Sequence, residues 1–196
     1  VGPERVRTRR DIDLRGVPVS EPRELGGGAD RRTLTIPVGP WRSGLYFAQL
    51  TAPDGRIGYA PFVVAPRKLG DNDVAVVLPT LTWQAYNFRD DDGDGRGNSW
   101  YVDRSVTTLR LGRAHLSRGV PYGLRYHLGF LRWLEWTGKR VDYLSQSDLE
   151  AVRNPAALSR LYDLMVFAGH HEYVTEHEYD LVEGSRDLGG NLLFLS

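Results

Sequence analysis

The feature that most restricts the fold of this chain is an alternation of strand and helix patterns from residue 73 onward. The run DVAVVLP, residues 73–79, is continuous and rich in β-branched residues, as expected of a strand buried on both faces. Similar runs recur in VDYLSQ, DLMVFAG and GNLLFLS, with helical patterns between them. Parallel strands joined by right-handed helical crossovers have this order. We therefore predict an α/β domain over residues 73–196, with a doubly wound parallel sheet of flavodoxin or Rossmann type.

The clearest helical pattern in that domain is the segment GLRYHLGFLRWLEWTGK. Its leucines fall on one face of a helix, and Gly138 follows them as a C-cap. We predict shorter helices for SDLEAV and PAALSRL, and a longer helix for TEHEYDLVEGSRDLG. The first strand and the first helix are separated by a predicted loop over residues 80–121, far longer than the roughly two to six residues of an ordinary connection. Ordered loops of this length often carry functional residues.

The residues before the α/β domain have a β pattern. RTLTIPV alternates apolar and polar residues, and SGLYFAQLTAPDG and GYAPFVVAP are predicted strands. Asp54 and Gly55 between the last two strands are typical of a hairpin turn. Short strands separated by Pro and Gly indicate a partial immunoglobulin-like segment over residues 1–66. APRKLGDND follows it as a linker.

Composition excludes several classes of function. The formal net charge is zero and the pI is near 7.1, so there is no electrostatic basis for binding nucleic acid or an anionic membrane. No apolar run approaches the roughly eighteen residues of a membrane span. The absence of cysteine excludes thiol nucleophiles, disulfides and thiolate metal sites, and it leaves the compartment open.

The two ends of the sequence indicate a piece of a longer protein. The chain begins with Val1 rather than Met, and it stops at Ser196 directly after an apolar strand pattern. A strand of this kind normally continues into a loop and a helix. We therefore expect that targeting signals or partner domains lie outside the sequence.

Polar and aromatic residues follow the predicted strands of the α/β domain. Ligands of open α/β sheets bind beyond the carboxyl ends of the strands, where the strand order reverses. A flavodoxin-like order makes the first and third strands neighbours, so Tyr86 and Glu172 are predicted to face each other there. Three further residues are predicted to line a substrate pocket at the same edge, namely Trp83, Asn87 and His171. Asp148 follows the second strand toward the same edge.

The segment AGHHEYVTEHEYD resembles the zinc-binding helix motif H-E-x-x-H, but its spacing is wrong. Thr175 and Glu178 have the spacing of a capping box, which predicts that the helix begins at about residue 176. His170, His171 and Glu172 would then lie in the turn between strand and helix. A functional role is predicted for His170 and Glu172, and a solvated first helical turn for Glu176, His177 and Glu178.

The run DDDGDGRGNSWY, residues 90–101, resembles the beginning of a calcium-binding loop. Asp90, Asp92 and Asp94 have the D-x-D-x-D-G spacing. The twelfth position is Tyr101 instead of the glutamate of an EF-hand, and the flanking helices are missing. Two interpretations stay open, a loose calcium site and a solvated Asp/Gly turn.

Several of these segments together resemble the large (β) subunit of N,N-dimethylformamidase and its relatives. They are VVLPTLTWQAYNF, FLRWLEWTGKRVDYLSQSDL, DLMVFAGHHEYVTEHEYDLVE and GGNLLFLS, with PWRSGLYFAQL and APFVVAP upstream. The resemblance extends from about residue 33 to the end. It implies an amidohydrolase with mononuclear iron held by two tyrosines and one glutamate, a small-molecule amide substrate, and an oligomer or a small partner subunit.

The resemblance also implies roles for individual residues. Glu172 matches the glutamate ligand, His170 a histidine that lines the site, and Tyr86 one of the two tyrosines. The other tyrosine matches Tyr46 best, with Tyr126 as the alternative. The Asp/Gly run after Tyr86 departs from the family pattern, so the substrate does not transfer.

The implied chemistry is physically consistent. Phenolate and carboxylate oxygens are hard ligands that suit ferric iron. Iron as a Lewis acid polarises an amide carbonyl and lowers the pKa of water, and His170 would carry the proton. The alternative function is a non-catalytic, secreted binding or structural module in which calcium stabilises the Asp/Gly loop.

Overall fold

The computed structural model describes residues 5–6, 12–14, 16–25 and 34–195. Within these residues the strands are β1 (Arg5–Val6), β2 (Ile12–Asp13), β3 (Gly44–Thr51), β4 (Ile57–Val64), β5 (Val74–Leu78), β6 (Asp142–Ser145), β7 (Leu164–Ala168) and β8 (Asn191–Leu195). The helices are α1 (Thr80–Ala85), α2 (Arg125–Thr137), α3 (Gln146–Glu150), α4 (Pro155–Ser159) and α5 (Glu176–Asp187).

A four-stranded parallel sheet with the order β6-β5-β7-β8 forms the α/β part. Val76 of β5 is opposite Tyr143 of β6 on one side and Val166 of β7 on the other. The first and third strands of this part are therefore neighbours, as the flavodoxin-like order predicts. Their carboxyl ends lie side by side, and that adjacency determines where the candidate site lies. A mixed α/β fold with a parallel sheet is confirmed.

Helices pack on the sheet through residues that alternate along β5. Ala75 and Val77 belong to a core with Leu158 and Leu181, which come from α4 and α5. Val76 belongs to a second core with Leu134 of α2. Alternate residues of a strand point to opposite faces, so β5 is buried on both. Its continuous apolar sequence follows from that position.

An antiparallel hairpin of β3 and β4 precedes this sheet, with pairing from Gly44 opposite Val64 to Thr51 opposite Ile57. Gly55 has φ 80°, which the turn requires and which glycine adopts without strain. The hairpin predicted at Asp54 and Gly55 is confirmed. The Ser43 hydroxyl donates to the Tyr143 carbonyl and accepts from the Tyr143 amide, which ties the start of the hairpin to β6.

The strand predicted for RTLTIPV is wrong in its described part, because residues 34–38 belong to no strand. Pro37 has no backbone N–H to donate, and alternation of side chains alone does not provide a pairing partner. The first two residues of the segment lie outside the described residues. A second antiparallel pair joins β1 and β2.

The loop predicted for residues 80–121 begins with a helix. α1 follows β5 almost directly, and Tyr86 is its C-cap residue. Pro79 at the N-cap offers no side-chain hydrogen bond, and the first turn has no acidic residue, so the usual signals for a helix start are missing. Its residues Leu81 to Ala85 are buried, so the surrounding structure stabilises it.

The predicted ends of α2 and α5 agree with the structure. Gly138 caps α2 in the left-handed conformation, with φ 67°. The Thr175 hydroxyl accepts a hydrogen bond from the Glu178 amide at the start of α5. Over the residues described, no helix has the length and apolar character needed to cross a bilayer.

Candidate functional site

The carboxyl ends of β5 and β7 bring Tyr86, His170 and Glu172 into contact. The Tyr86 hydroxyl donates to Glu172 Oε2 at 2.5 Å. His170 Nε2 lies 3.1 Å from the same carboxylate oxygen and 3.5 Å from the Tyr86 hydroxyl. The side chains of His170 and Glu172 are 51% and 40% exposed, so a small molecule in solution can reach them.

Gly169, at the end of β7, fixes the path of the chain into this site. Its φ is 79°, a conformation that side chains rarely adopt. A Cβ atom there would lie 1.9 Å from Nδ1 of His127, which is buried below it. The His127 Nδ1 lies 2.6 Å from the Ala168 carbonyl, and Nε2 accepts from the Trp83 indole. Burial lowers the pKa of His127 to about 4, so this ring is a neutral support for the turn.

Thr82 supports the turn from below. Its buried hydroxyl oxygen accepts hydrogen bonds from the amides of Glu172 and Tyr173, each at 3.0 Å. Thr82 belongs to α1, the helix that ends at Tyr86. One helix therefore carries the phenol and also holds the backbone of the residue that accepts its hydrogen bond.

Gln146 is a second link between the same two segments. Its fully buried carboxamide accepts from the Leu81 amide at 2.8 Å and donates to the Tyr173 carbonyl at 2.9 Å. It also donates to Glu178 Oε2 at 2.8 Å. Buried polar groups with several partners resist displacement, so α1 and the 172–173 turn are held as a unit.

Aromatic rings surround Tyr86. The rings of Tyr101 and Tyr122 stack on it with centroid distances of 4.4 and 5.4 Å, and Tyr173 meets it edge-on at 6.3 Å. Trp100 stacks on Tyr173 at 6.0 Å. None of these four residues was predicted as part of a site. Trp100 and Tyr101 were visible at the end of the Asp/Gly run, but only the fold brings them to Tyr86.

Burial and nearby groups raise the pKa of two tyrosines in this cluster, Tyr86 and Tyr173. Burial raises the pKa of Tyr86 well above its ordinary value of 10, and the hydrogen bond and charge of Glu172 and the hydroxyls of Tyr101 and Tyr173 add to this effect. Burial and the same two neighbours, Glu172 and Tyr101, raise the pKa of Tyr173. These hydroxyls therefore hold their protons more strongly than usual, and a hard cation beside them and the Glu172 carboxylate would favour the anionic forms.

The residues of this site lie in a region that matches a known protein family. A family model described as "N,N-dimethylformamidase beta subunit-like, C-terminal" matches residues 29–196. The chain belongs to this family. The resemblance stated from the sequence is confirmed, and the match spans the β3–β4 hairpin and the whole α/β part. Comparison with curated proteins gives no match.

The second tyrosine ligand that the dimethylformamidase resemblance implies lies in a different environment. The Tyr46 hydroxyl donates to the Arg42 carbonyl at 2.8 Å, and its ring stacks with Trp41 and Phe62. Burial and the charge of Glu135 raise its pKa. Tyr126 accepts a hydrogen bond from the Arg125 guanidinium, which also lies over its ring. No described contact joins either tyrosine to Tyr86 or Glu172, so their role as ligands stays a prediction.

Of the three residues predicted to line a substrate pocket in this dimethylformamidase-like chain, two are buried and His171 is partly buried. Trp83 and Asn87 are buried, and their polar atoms bond to protein groups. The His171 ring packs edge-on against Phe167, and its ring nitrogens have no hydrogen-bond partner within the described part of the chain. Burial lowers the pKa of His171 to about 4. The structure places these residues beneath the site, and their predicted contact with substrate stays a prediction.

The first turn of α5 differs from its prediction. Thr175 caps the helix as expected, but the Glu178 side chain is buried against Gln146 and does not return to the Thr175 amide. His177 Nε2 lies 3.0 Å from the Val152 carbonyl. The expected solvated turn is therefore wrong for Glu178. Its side chain contacts the buried Gln146 of α3, 32 positions away, and a local sequence pattern does not reveal such a contact.

The first part of the Asp/Gly run, residues 90–96, is exposed. Oxygens of Asp90, Asp92 and Asp94 lie within 4.8 Å of one another. Much of their hydrogen-bonding capacity is used by the loop: the Gly93 and Gly95 amides donate to Asp90, and the Asn98 amide group donates to Asp92. Calcium binding at this loop stays a prediction.

Proposed function

We propose that this chain carries the site of a metal-dependent hydrolase that cleaves amide C–N bonds, as in dimethylformamidase. The observation that supports the proposal best is the contact between the Tyr86 hydroxyl and Glu172 Oε2 at 2.5 Å, between residues that are 86 positions apart in the sequence. Membership of the family, by the description of its model, adds the reaction type. His170 at 3.1 Å completes the reactive group.

The oxygens of Tyr86 and Glu172 fit a hard cation. A phenol and a carboxylate at 2.5 Å share one proton, which a metal ion would replace while both oxygens remain adjacent. Hard, anionic oxygen ligands favour ferric iron over the softer zinc and copper ions. When bound, iron would supply Lewis-acid polarisation of a carbonyl and lower the pKa of water.

We infer that the third oxygen comes from a tyrosine that surrounds Tyr86. Tyr101 and Tyr173 lie close enough for their hydroxyls to raise the pKa of Tyr86, and the Tyr122 ring stacks on the Tyr86 ring. This choice replaces the ligand role that the resemblance implies for Tyr46 or Tyr126, whose hydroxyls bond to Arg42 and Arg125 and have no described contact with Tyr86 or Glu172. Among the three neighbours, Tyr101 has the shortest ring distance, 4.4 Å, and is our first choice.

His170 is the proton carrier in this proposal. Its Nε2 atom is within hydrogen-bonding distance of Glu172 Oε2, and half of its side chain is exposed. A proton taken from water at this position can pass to the departing amine or to solvent. Glu172 orients the ring for that transfer.

We further propose the finer parts of the architecture. The sheet with helices on both faces belongs to a doubly wound domain over residues 73–196, and the β3–β4 hairpin belongs to an immunoglobulin-like segment over residues 1–66. The family description "beta subunit-like" supports an assembly with a partner subunit or with further copies.

A second candidate function is a non-catalytic binding module stabilised by calcium. It is favoured by the three carboxylates within 4.8 Å in the Asp/Gly loop. The first proposal places iron at Tyr86 and Glu172, and the second places calcium in the Asp/Gly loop. Identifying the bound metal therefore distinguishes them.

The test is anaerobic reconstitution with ferrous iron, followed by oxidation, metal analysis and an assay of amine release from dimethylformamide and other simple amides. We expect about one iron per chain and a tyrosinate charge-transfer band. Tyr86→Phe and Glu172→Gln should abolish the band and the activity, Tyr101→Phe should alter the band, and Tyr46→Phe should leave it unchanged. Binding of calcium alone, with no iron retained, would refute the enzyme proposal and support the binding module.

A further inference from the structure

The end of helix α1 depends on groups outside the helix. α1 has six residues, and a helix this short is unstable alone in water. The carbonyls of the last turn of a helix lack the usual intrahelical partners, and here, among the described residues, only two backbone bonds close it, from the Tyr86 amide to Thr82 and from the Asn87 amide to Gln84. Tyr86 is the C-cap residue, so any movement of this end displaces the hydroxyl that contacts Glu172.

Arg113 occupies the end of the helix. Its side chain is fully buried, and Nη2 donates to the carbonyls of Gln84 at 2.7 Å and Asn87 at 3.1 Å. These two carbonyls flank Tyr86 in the sequence. Its Nε atom also donates to Gln84 Oε1 at 3.3 Å. The carbonyl between them, that of Ala85, accepts from the buried Ser99 hydroxyl at 2.6 Å.

The same guanidinium holds the long loop that contains the Asp/Gly run. Nη1 donates to the carbonyl of Asn98 at 2.9 Å and to Asp91 Oδ2 at 3.2 Å. The Asp91 carboxylate offsets the charge of the buried cation. A planar guanidinium directs its donors in several fixed directions, which an ammonium does not do. Arg113 therefore joins the helix end to the loop that brings Tyr101 over the Tyr86 ring.

We propose that Arg113 is a positioning residue for Tyr86, and that the 88–113 loop supports the site through it. The effect of Arg113 on catalysis rests on the proposed function. Its effect on the position of the Tyr86 side chain does not. The nearby Arg110 is a matched control, since its side chain is 79% exposed and its contact with Asp91 is long, 3.5 Å.

The test compares Arg113→Lys with Arg110→Lys in two measurements. In the metal-free protein, the ζ-carbon NMR signal of Tyr86, assigned with Tyr86→Phe, reports the hydrogen bond to Glu172. We expect Arg113→Lys to move this signal toward that of an exposed tyrosine and Arg110→Lys to leave it unchanged. In iron titrations, we expect Arg113→Lys to weaken affinity by about 10- to 100-fold, as for other groups that orient a ligand. Arg110→Lys should stay within about twofold.

The possible results separate this proposal from the function. A folded Arg113→Lys variant with an unchanged Tyr86 signal would overturn it, whether or not iron binds. If the wild-type chain binds no iron but the Tyr86 signal moves in Arg113→Lys, the proposed function fails and the positioning role stands. If Arg113→Lys does not fold, Asp91→Asn is decisive, because it removes the charge of the loop carboxylate that contacts Arg113 Nη1, and Asp91 has no described contact with α1, Tyr86 or Glu172. A shifted Tyr86 signal in that variant supports the proposal, and an unchanged signal refutes it.

Discussion

Two regions of this chain offer oxygen ligands to a metal, and they are built in opposite ways. In the Asp/Gly loop the three carboxylates are neighbours in sequence, exposed, and bonded mostly to amides of their own loop. At the edge of the sheet, Tyr86 and Glu172 are far apart in sequence, yet their oxygens lie 2.5 Å apart. Buried groups of α1, α3 and the long loop, namely Thr82, Gln146 and Arg113, hold them there.

The way in which the oxygens are held affects how strongly and how selectively each region can bind a metal ion. Exposed carboxylates that are held mainly by amides of their own loop gain little affinity for a cation, because few groups outside the loop fix their oxygens. A buried scaffold fixes the oxygens before the ligand arrives. The second arrangement suits catalysis, so substitutions in the supports of the edge site should have larger effects than substitutions in the Asp/Gly loop.

The largest effect on stability is expected for Gly169→Ala. The new methyl group would overlap the His127 ring at 1.9 Å and would require φ 79° from a residue with a side chain. The expected loss is about 2–4 kcal/mol, from overpacking and backbone strain together. Urea denaturation measures it. Gly138→Ala is the control, because Gly138 also has a positive φ, 67°, but open space around it, and it should cost about 1 kcal/mol.

A smaller loss, about 1–2 kcal/mol, is expected for Thr82→Val. This change keeps the shape of the side chain but removes the acceptor for the amides of Glu172 and Tyr173. Thr82→Ser keeps the hydroxyl and should retain most of the stability. Hydrogen exchange of the two amides should accelerate in Thr82→Val only. Equal exchange in both variants would show that the turn does not depend on Thr82.

Glu178 gives the stability of the site region a pH dependence. Burial raises the pKa of its carboxyl to about 7, and the charge of Glu150 adds to this. The folded chain therefore holds a proton that the unfolded chain releases above about pH 4.5, so the unfolding free energy falls as the pH rises toward 7.

Glu178→Gln should remove that dependence, because Gln carries no charge and can still accept from Gln146. Relative to wild type, the variant should gain on the order of 1 kcal/mol between pH 5 and pH 8. Denaturation curves at the two pH values measure the change. Parallel curves for both proteins would contradict the assigned pKa.

The smallest effect is expected for Asp92→Asn. Its carboxylate is exposed and accepts from the Asn98 amide group, a contact that lowers the pKa of Asp92. Exposed interactions of this kind contribute little, so the change in stability without calcium should stay within about 0.5 kcal/mol. A larger loss that appears only with added calcium would support the calcium module and weaken the contrast between the two regions.

Much of the scaffold was predictable from local patterns, and most of the support for the site was not. The apolar runs of β5 and β7 and the glycine at residue 138 identify elements, because their signals are local. α1 has no capping signal and exists through burial. The burial of Glu178 and Arg113 depends on partners more than twenty residues away, which alternation and spacing do not encode.

The site itself was predictable only in part, for a related reason. Strand order places Tyr86 opposite Glu172, so that pair follows from topology. The stacking of Tyr101 on Tyr86 depends on how a long loop returns to the sheet, and no periodicity predicts that path. The position of Tyr46, on a hairpin with its hydroxyl bonded to Arg42, likewise depends on packing.

The most direct test of the central claim is a crystal structure of the iron-loaded chain with data collected on both sides of the iron absorption edge. The account predicts one anomalous peak within coordination distance of the Tyr86 hydroxyl oxygen and Glu172 Oε2, about 2 Å from each. A peak among Asp90, Asp92 and Asp94, or no peak beside Glu172, would contradict it.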